Sequence, residues 1–267
     1  MIHYYSLSFI FLFGLVIGSF LNVIICRLRT KQDIVKKPSH CTKCKKKLKW
    51  YDMIPVLSFI ILRKKCRYCE MRISWQYPIV ELATGTFFAL TVYFAFSNFH
   101  NTLFIIHYSF FNLFFIAVLV IIFTYDLKHM LIPDKVIFPA IIIAALYAIF
   151  NSLFIIHNTL FILKYLLSAS IGSAFFYALY TFSRGRWIGF GDVKLAIFMG
   201  LMLGWPNIIL ALLLGFLIGG IIGIILILKH KKQLKSQVPF GPFLVIGTLI
   251  TMFFGDLIIN WYLGIIL

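Results

Sequence analysis

Long apolar segments are the feature that most constrains the fold of this 267-residue chain. A helix needs about 20 apolar residues to cross the hydrocarbon core of a bilayer, and it satisfies its backbone polar groups within itself. Hydrophobic residues make up 62% of the chain and charged residues 12%, a composition that excludes a soluble globular domain. The sequence therefore predicts an all-α polytopic membrane protein with about eight transmembrane helices.

The hydropathy pattern also predicts where these spans begin and end. The predicted spans are residues 5–26, 78–96, 103–125, 136–150, 160–182, 192–203, 205–228 and 242–263. The fourth and sixth are short for a full crossing, which leaves a tilted, kinked or re-entrant helix open for each. Glycines repeat every fourth residue at Gly14 and Gly18 and at Gly215, Gly219 and Gly223, a spacing that predicts close helix packing.

The distribution of basic residues predicts the orientation in the membrane. Fifteen of the 25 Lys and Arg residues lie between Arg27 and Arg72, and smaller groups follow at residues 128–135, 184–186 and 229–235. With eight spans these segments share one side, so the positive-inside rule puts them in the cytoplasm and both termini outside. The net charge of +17 then reflects topology and attraction to membrane lipid. We expect no nucleic-acid partner, because the basic segment contains no recognisable binding module.

Two C-x-x-C pairs lie between the first two predicted spans, Cys41 with Cys44 and Cys66 with Cys69. Four thiolates at this spacing match a tetrahedral zinc site, and metal binding would supply folding energy that so small a segment lacks. Disulfides are the alternative, but the predicted topology puts the segment in a reducing compartment. The sequence therefore predicts a cytoplasmic zinc-binding loop, with Cys26 apart from it as a packing residue.

Two aspartates stand where apolar segments end or begin. Asp126 ends the third predicted span, and Asp192 follows Gly189-Phe190-Gly191 at the start of the sixth. An ionisable side chain at such a position is costly unless it has a function. The predicted topology puts both carboxylates at the cytoplasmic face, where a pair sharing one proton could activate water and polarise a scissile carbonyl. The pattern predicts the catalytic pair of a membrane aspartic protease.

Structural roles are the alternative for each aspartate, either pairing with Lys128 or Lys194 or capping a helix end. Asp134, which follows Pro133, is interpreted as a helix N-cap and not as a catalytic group. The turn at residues 239–243 permits two interpretations, a helix entry turn or a backbone edge for an extended peptide near the pair.

Two other classes of membrane protein use such carboxylates. A proton-coupled transporter would place them near the midplane of repeated halves, and the sequence predicts neither feature. A presenilin-like protease shares the Gly-x-Gly-Asp chemistry, but it leaves the cysteine loop without an explanation.

Motifs along most of the chain resemble one family. They are Gly18-Ser19-Phe20-Leu21-Asn22-Val23 with Arg27, the cysteine pairs around Trp50-Tyr51-Asp52-Met53-Ile54-Pro55-Val56-Leu57-Ser58, Tyr77-Pro78, Glu81-Leu82-Ala83-Thr84-Gly85, Asp126 with Ile132-Pro133-Asp134, Gly189-Phe190-Gly191-Asp192-Val193-Lys194-Leu195, and Pro239-Phe240-Gly241-Pro242. In this order they resemble the bacterial prepilin peptidases, or type IV leader peptidases, of the bifunctional kind with N-methyltransferase activity.

The resemblance implies a substrate and two reactions. The family cleaves the leader of type IV prepilins and pseudopilins after a glycine, at the cytoplasmic face of the bacterial inner membrane. It then methylates the new N-terminal residue, usually Phe, from S-adenosylmethionine. Asp126 and Asp192 match the family's catalytic pair, and Cys41, Cys44, Cys66 and Cys69 match its zinc tetrad.

The resemblance also divides the chain. Residues 1–26 are the first transmembrane helix, residues 27–77 a zinc-binding, methyltransferase-associated segment, and residues 78–267 a transmembrane aspartic peptidase domain. Lys45 and Glu70 depart from the glycines that often follow the second cysteine of each pair. No glycine-rich nucleotide loop identifies a cofactor site, and Glu81 is either a methyl-transfer residue or a structural partner of Lys or Arg.

Overall fold

A computed structural model describes residues 2–30, 33, 37–155, 160–228 and 238–266 of the chain. It has two compact units, Met1–Ile121 and Ile122–Leu267. The regular elements in the described residues are helices, and the cysteine segment adds two isolated β-bridges, His40 with Lys47 and Lys65 with Arg72. The predicted all-α fold class is confirmed for this part of the chain.

The described residues contain nine α-helices and two short helices of other types. The α-helices are α1 (Ile2–Thr30), α2 (Leu57–Ile61), α3 (Gln76–Asn98), α4 (Thr102–His129), α5 (Asp134–Phe150), α6 (Phe161–Ser183), α7 (Phe190–Leu203), α8 (Asn207–Leu228) and α9 (Gly241–Ile266). A 3₁₀-helix covers Trp50–Met53, and a π-helix at Asn151–Ile155 continues α5.

Seven of these helices are long and apolar enough to cross a membrane. They are α1, α3, α4, α5, α6, α8 and α9. The fourth span, predicted at residues 136–150, is longer than expected, because helical structure runs from Asp134 to Leu153 and covers 20 residues. The predicted number of about eight spans is therefore approximate, and the difference is α7.

Helix α7, the predicted sixth span, is shorter than the others. Its 14 residues rise about 21 Å, against about 30 Å for the hydrocarbon core. Most of its residues are buried, and it packs against α5, α6, α8 and α9 of the second unit. Protein therefore surrounds much of this helix.

In the first unit α1 and α3 pack antiparallel through glycine. A Cβ atom on Gly14 would lie 2.7 Å from the Cα atom of Gly85, and one on Gly18 would lie 2.7 Å from the Cα atom of Glu81. Real side chains do not approach so closely, so glycine is required where the two backbones meet. The predicted packing role of Gly14 and Gly18 agrees with this geometry.

In the second unit glycine again permits close contacts. A Cβ atom on Gly200 of α7 would lie 2.5 Å from backbone atoms of Ala169 on α6. Gly215 and Gly219 of α8 meet Leu244 and Phe243, whereas Gly223 has no neighbour within 4 Å of a built Cβ atom. The glycine pattern of α8 thus marks packing at two of its three positions.

The contact at Gly200 makes a stability prediction. Gly200→Ala should lower the thermal unfolding midpoint of the detergent-solubilised protein, because overpacking a helix contact costs about 1–3 kcal/mol. Gly220→Ala is the matched control, since a built Cβ atom on Gly220 meets nothing within 4 Å. Equal midpoints for the two variants would contradict the described packing of α6 and α7.

Candidate active site and cysteine cluster

Asp126 lies in the last turn of α4. Its side chain is buried, and the residue is 5% exposed. The helix ends three residues later at His129, and Met130 adopts a left-handed φ of 53° while its N–H donates to the Asp126 carbonyl at 2.8 Å. This turn stops the helix directly after the carboxylate and leads the chain into the loop before α5.

Asp192 lies in the first turn of α7 and is 8% exposed. Gly189 is the N-cap of the helix, and its backbone forms a hydrogen bond with the Asp192 carboxylate. The position suits an acid, because the N-terminus of a helix presents free N–H groups and a partial positive charge. A Cβ atom on Gly191 would lie 3.1 Å from the Cβ atom of Ile132, so glycine brings this turn against the loop that follows α4.

The two carboxylates belong to one cluster within the second unit. Asp192 lies close enough to Asp126 for the two carboxylates to interact electrostatically. In the described residues neither carboxylate forms an ion pair with Lys, Arg or His. Two buried carboxylates without a cation are unusual in a purely structural site, because their burial costs free energy that pairing would offset.

Lys194 and Asp134 form an ion pair with each other. The Nζ atom of Lys194 lies 2.6 Å from an Oδ atom of Asp134. The alternative prediction that Lys194 pairs with Asp192 is therefore wrong. The N-cap interpretation of Asp134 is wrong by one position, because Pro133 is the N-cap and Asp134 is the first residue of α5, where an acid interacts well with the helix dipole.

The turn at residues 239–243 contributes a residue that the sequence only hinted at. Helix α9 begins at Gly241, and the Gly241 backbone N–H donates to the Asp126 carboxylate. A Cβ atom on Gly241 would lie 2.6 Å from the Oδ2 atom of Asp126. The segment is therefore a helix entry turn whose backbone also reaches the aspartate pair, and its use as an edge for an extended peptide stays a prediction.

The four cysteines of the two C-x-x-C pairs come together in the first unit. Their sulfur atoms all lie within 4.8 Å of one another, and those of Cys41 and Cys69 are 3.8 Å apart. A tetrahedron of thiolates about 2.3 Å from a zinc ion has edges of about 3.8 Å. The thiols are free and too far apart for disulfides. The donor set and its spacing therefore fit a zinc ion.

The two knuckles repeat the same backbone turn. The N–H of Lys45 donates to the Cys41 carbonyl at 3.0 Å, and the N–H of Glu70 donates to the Cys66 carbonyl at 2.9 Å. Lys45 and Glu70 have φ of 60° and 55°, the left-handed conformation that favours glycine. Both turns form without glycine, each at a cost of about 1–2 kcal/mol.

Electrostatics at Cys41 favour the form that binds metal. Burial raises the pKa of the Cys41 thiol. Hydrogen bonds from the Cys44 and Lys43 backbones and from the thiols of Cys44 and Cys66 outweigh this effect and lower the pKa to about 7. A thiolate, not a thiol, is the metal ligand. Cys26 lies on α1 with its sulfur 3.6 Å from the Tyr77 hydroxyl, and it is not one of the four clustered cysteines.

Asp52 holds the two halves of the cysteine segment together. Its carboxylate pairs with Arg67 at 2.9 Å and accepts hydrogen bonds from the Tyr68 hydroxyl and the Lys49 N–H, both at 3.3 Å. The same ion pair raises the pKa of the Arg67 guanidinium. Sequence reasoning placed Asp52 only in a motif, since its side-chain partners Arg67 and Tyr68 lie 15 and 16 residues away.

Two family profiles match the chain. The bacterial peptidase A24 N-terminal domain matches residues 12–95, which include the cysteine cluster. The type IV leader peptidase family matches residues 113–224, which include Asp126 and Asp192. No solved structure is significantly similar to this chain.

Curated relatives are similar over nearly their full lengths. A prepilin leader peptidase/N-methyltransferase of Bacillus subtilis is 31% identical over 96% of this chain and 98% of its own length. Proteins of the same name from Legionella pneumophila and Aeromonas salmonicida are each 32% identical, over 95% and 97% of this chain and 93% and 94% of their own lengths. The two profiles together match most of the chain, and the relatives are similar to it over nearly its full length. The chain therefore belongs to the type IV leader peptidase family.

Proposed function

We propose that this protein is a membrane aspartic endopeptidase that removes the leader of type IV prepilins or pseudopilins by cleaving after a glycine. The observation that carries the proposal is the buried pair of Asp126 and Asp192, which has no cation partner in the described residues. Family membership supports the substrate class, because the relatives are named prepilin leader peptidase/N-methyltransferase.

In the proposed mechanism the two carboxyl groups have different protonation states. Close carboxylates do not both ionise cheaply, so one keeps a proton while the other is charged. The charged group accepts a proton from a water molecule, and the oxygen of that water attacks the scissile carbonyl. The protonated group donates to the carbonyl oxygen as it becomes an oxyanion. Collapse of the tetrahedral intermediate then breaks the C–N bond, and the aspartic acid that took the water proton gives it to the leaving amine. The Gly241 N–H orients Asp126 by its hydrogen bond, and no covalent intermediate is required.

We assign the protein to the cytoplasmic membrane of a bacterium, with both termini outside and the aspartate pair at the cytoplasmic face. The basic segments support this orientation, although residues 229–237 lie outside the described part of the chain. The four basic segments share one side only if the short helix α7 counts as a crossing. The positive-inside rule therefore supports a crossing at α7 despite its length.

We further assign a second activity, methylation of the new N-terminal amine from S-adenosylmethionine. The name of the relatives supports it, and the cysteine segment is the part of the chain that we associate with it. Zinc bound by Cys41, Cys44, Cys66 and Cys69 would supply folding energy and no chemistry, since four protein ligands close a tetrahedral site. We retain residues 27–77 and 78–267 as the methyltransferase-associated segment and the peptidase domain.

The catalytic assignment predicts the effect of removing one carboxylate. Asp126→Asn and Asp192→Asn should each lower the rate of leader cleavage by the purified protein about 10²–10⁴-fold, the range expected for general acid–base groups. Asp256→Asn is the control, because Asp256 is an exposed residue of α9. Cleavage of a prepilin by either active-site variant at the wild-type rate would refute the assignment.

The contact of Gly241 with Asp126 predicts a loss of activity without loss of a carboxylate. Gly241→Ala should slow cleavage by about 10²-fold, because the new Cβ atom would displace the Oδ2 atom from which it is 2.6 Å away. Gly264→Ala lies on the same helix with nothing within 4 Å of its Cβ atom, and it should cleave normally. Equal rates for the two variants would mean that Gly241 does not position Asp126.

The cysteine cluster predicts a metal content. Protein prepared without chelators should contain about one zinc ion per chain, as expected for a closed tetrathiolate site. Cys44→Ser should lose most of this zinc by elemental analysis, whereas Cys26→Ser should keep it, because Cys26 is outside the cluster. A wild-type protein with four freely reactive thiols and no zinc would exclude a stable site.

A further inference from the structure

Glu81 is a buried acidic residue of the first unit that the peptide-cleavage mechanism does not use. It lies on α3 and is 6% exposed. Its Cα atom would be 2.7 Å from a Cβ atom on Gly18, so α1 and α3 are in backbone contact at this level. The backbone that carries the carboxylate is therefore packed directly against α1.

In the part of the chain that the structure describes, the Glu81 carboxylate has two hydrogen-bond donors and no ion pair. The Val56 N–H donates to its Oε2 atom at 2.8 Å, and the Ser19 hydroxyl donates to the same carboxylate. Among the described residues no Lys, Arg or His forms an ion pair with it. An ionised carboxylate accepts about four hydrogen bonds, so two acceptor positions remain. A buried carboxylate in this condition gains most from a ligand that carries positive charge and several N–H donors.

The donor Val56 has a strained backbone. Its φ of 61° and ψ of −49° place it at the centre of a γ-turn in which the Leu57 N–H donates to the Pro55 carbonyl. This turn is rare, and it is strained for a β-branched residue. The turn belongs to the segment between the two cysteine pairs, so Glu81 joins that segment to a transmembrane helix. The hydrogen bond to Glu81 thus stabilises the strained Val56 turn, and backbone strain of this kind is concentrated at functional sites.

Polar side chains continue from Glu81 toward the ends of α1 and α3 that flank the cysteine segment. Asn22 is buried and donates to the Tyr77 carbonyl at 3.1 Å, while its Oδ1 atom accepts from Gln76 at 3.0 Å. These groups satisfy one another, whereas Glu81 keeps free acceptor positions. The seam between α1 and α3 is thus polar up to the carboxylate.

We propose that Glu81 and Ser19 form a binding site for a protonated amine, and that its ligand is the N-terminal ammonium that leader cleavage exposes. An ammonium group has three N–H donors, which complement the acceptor positions left on Glu81. Ser19 orients the carboxylate, and the Val56 turn connects it to the segment assigned to methylation. The inference rests on the proposed methyltransferase activity. It makes Glu81 the residue that places the nitrogen to be methylated. The bound ammonium loses one proton to water, and the free amine then takes the methyl group of S-adenosylmethionine and releases S-adenosylhomocysteine.

The test uses full-length protein in nanodiscs and measures the two reactions separately. Leader release from a prepilin is one assay, and the other is transfer of labelled methyl from S-adenosylmethionine to a synthetic peptide with the mature N-terminus. Glu81→Gln keeps an acceptor for Val56 and removes the charge. It should leave leader release and zinc content unchanged and raise the KM for the peptide about tenfold or more, the size of one lost hydrogen bond to a charged group.

Three controls make the outcome specific. Asp256→Asn changes an exposed carboxylate of α9, outside the cysteine segment, and it should methylate normally. Glu81→Asp keeps the charge and should retain more methylation than Glu81→Gln. The KM for S-adenosylmethionine should stay the same in Glu81→Gln, because the charge binds the amine and not the sulfonium.

Several results would overturn the inference. Wild-type methylation by Glu81→Gln would show that the charge is not used, and a KM change confined to S-adenosylmethionine would assign it to the methyl donor. Equal losses in Glu81→Gln and Glu81→Asp, together with loss of zinc, would reduce Glu81 to a structural support of the Val56 turn. Absence of methyl transfer by the wild-type protein would contradict the proposed second activity itself, which is a separate failure.

Discussion

The burial of carboxylates among apolar helices is the constraint on which the rest of this structure depends. Asp126, Asp192 and Glu81 are all buried, and in the described residues none is neutralised by a cation. Each is instead held by backbone N–H groups or a hydroxyl that compensate part of the lost hydration. That compensation is incomplete, so a proton, a water molecule or a ligand that pairs with one of these carboxylates would lower the remaining cost of its burial.

Backbone contact, more than side-chain pairing, supplies this partial support. Gly241 brings an N–H to Asp126, Gly189 does so for Asp192, and Gly18 lets α1 approach Glu81. A side chain at Gly241 or Gly18 would separate the elements, so the glycines fix geometry without neutralising charge. Lys194, which is near Asp192 in sequence, pairs with the exposed Asp134 and therefore does not neutralise the aspartate pair.

The sequence predicts the helical fold well because hydropathy and helix geometry are local properties. It predicts the meeting of four cysteines for a similar reason, since the spacing of each pair determines a knuckle. It predicts that α7 is short but leaves its course through the membrane open, because burial by α5, α6, α8 and α9 cannot be read locally. The contacts Gly241 with Asp126 and Val56 with Glu81 join distant residues, so the sequence only suggested them as turn-rich or acidic motifs. The N-cap of α5 is Pro133, one residue before the predicted Asp134, because the side-chain pattern does not define a helix end to the residue.

The claim that Asp126 and Asp192 form one catalytic pair is tested most directly by the intact mass of a prepilin produced together with this protein. With the wild-type chain we predict the mass of a leader-free polypeptide carrying one methyl group. With Asp126→Asn or with Asp192→Asn we predict the mass of the uncleaved, unmethylated precursor, since the N-terminal amine of the mature polypeptide is not released. A leader-free polypeptide at the wild-type level in the presence of either variant would contradict the account.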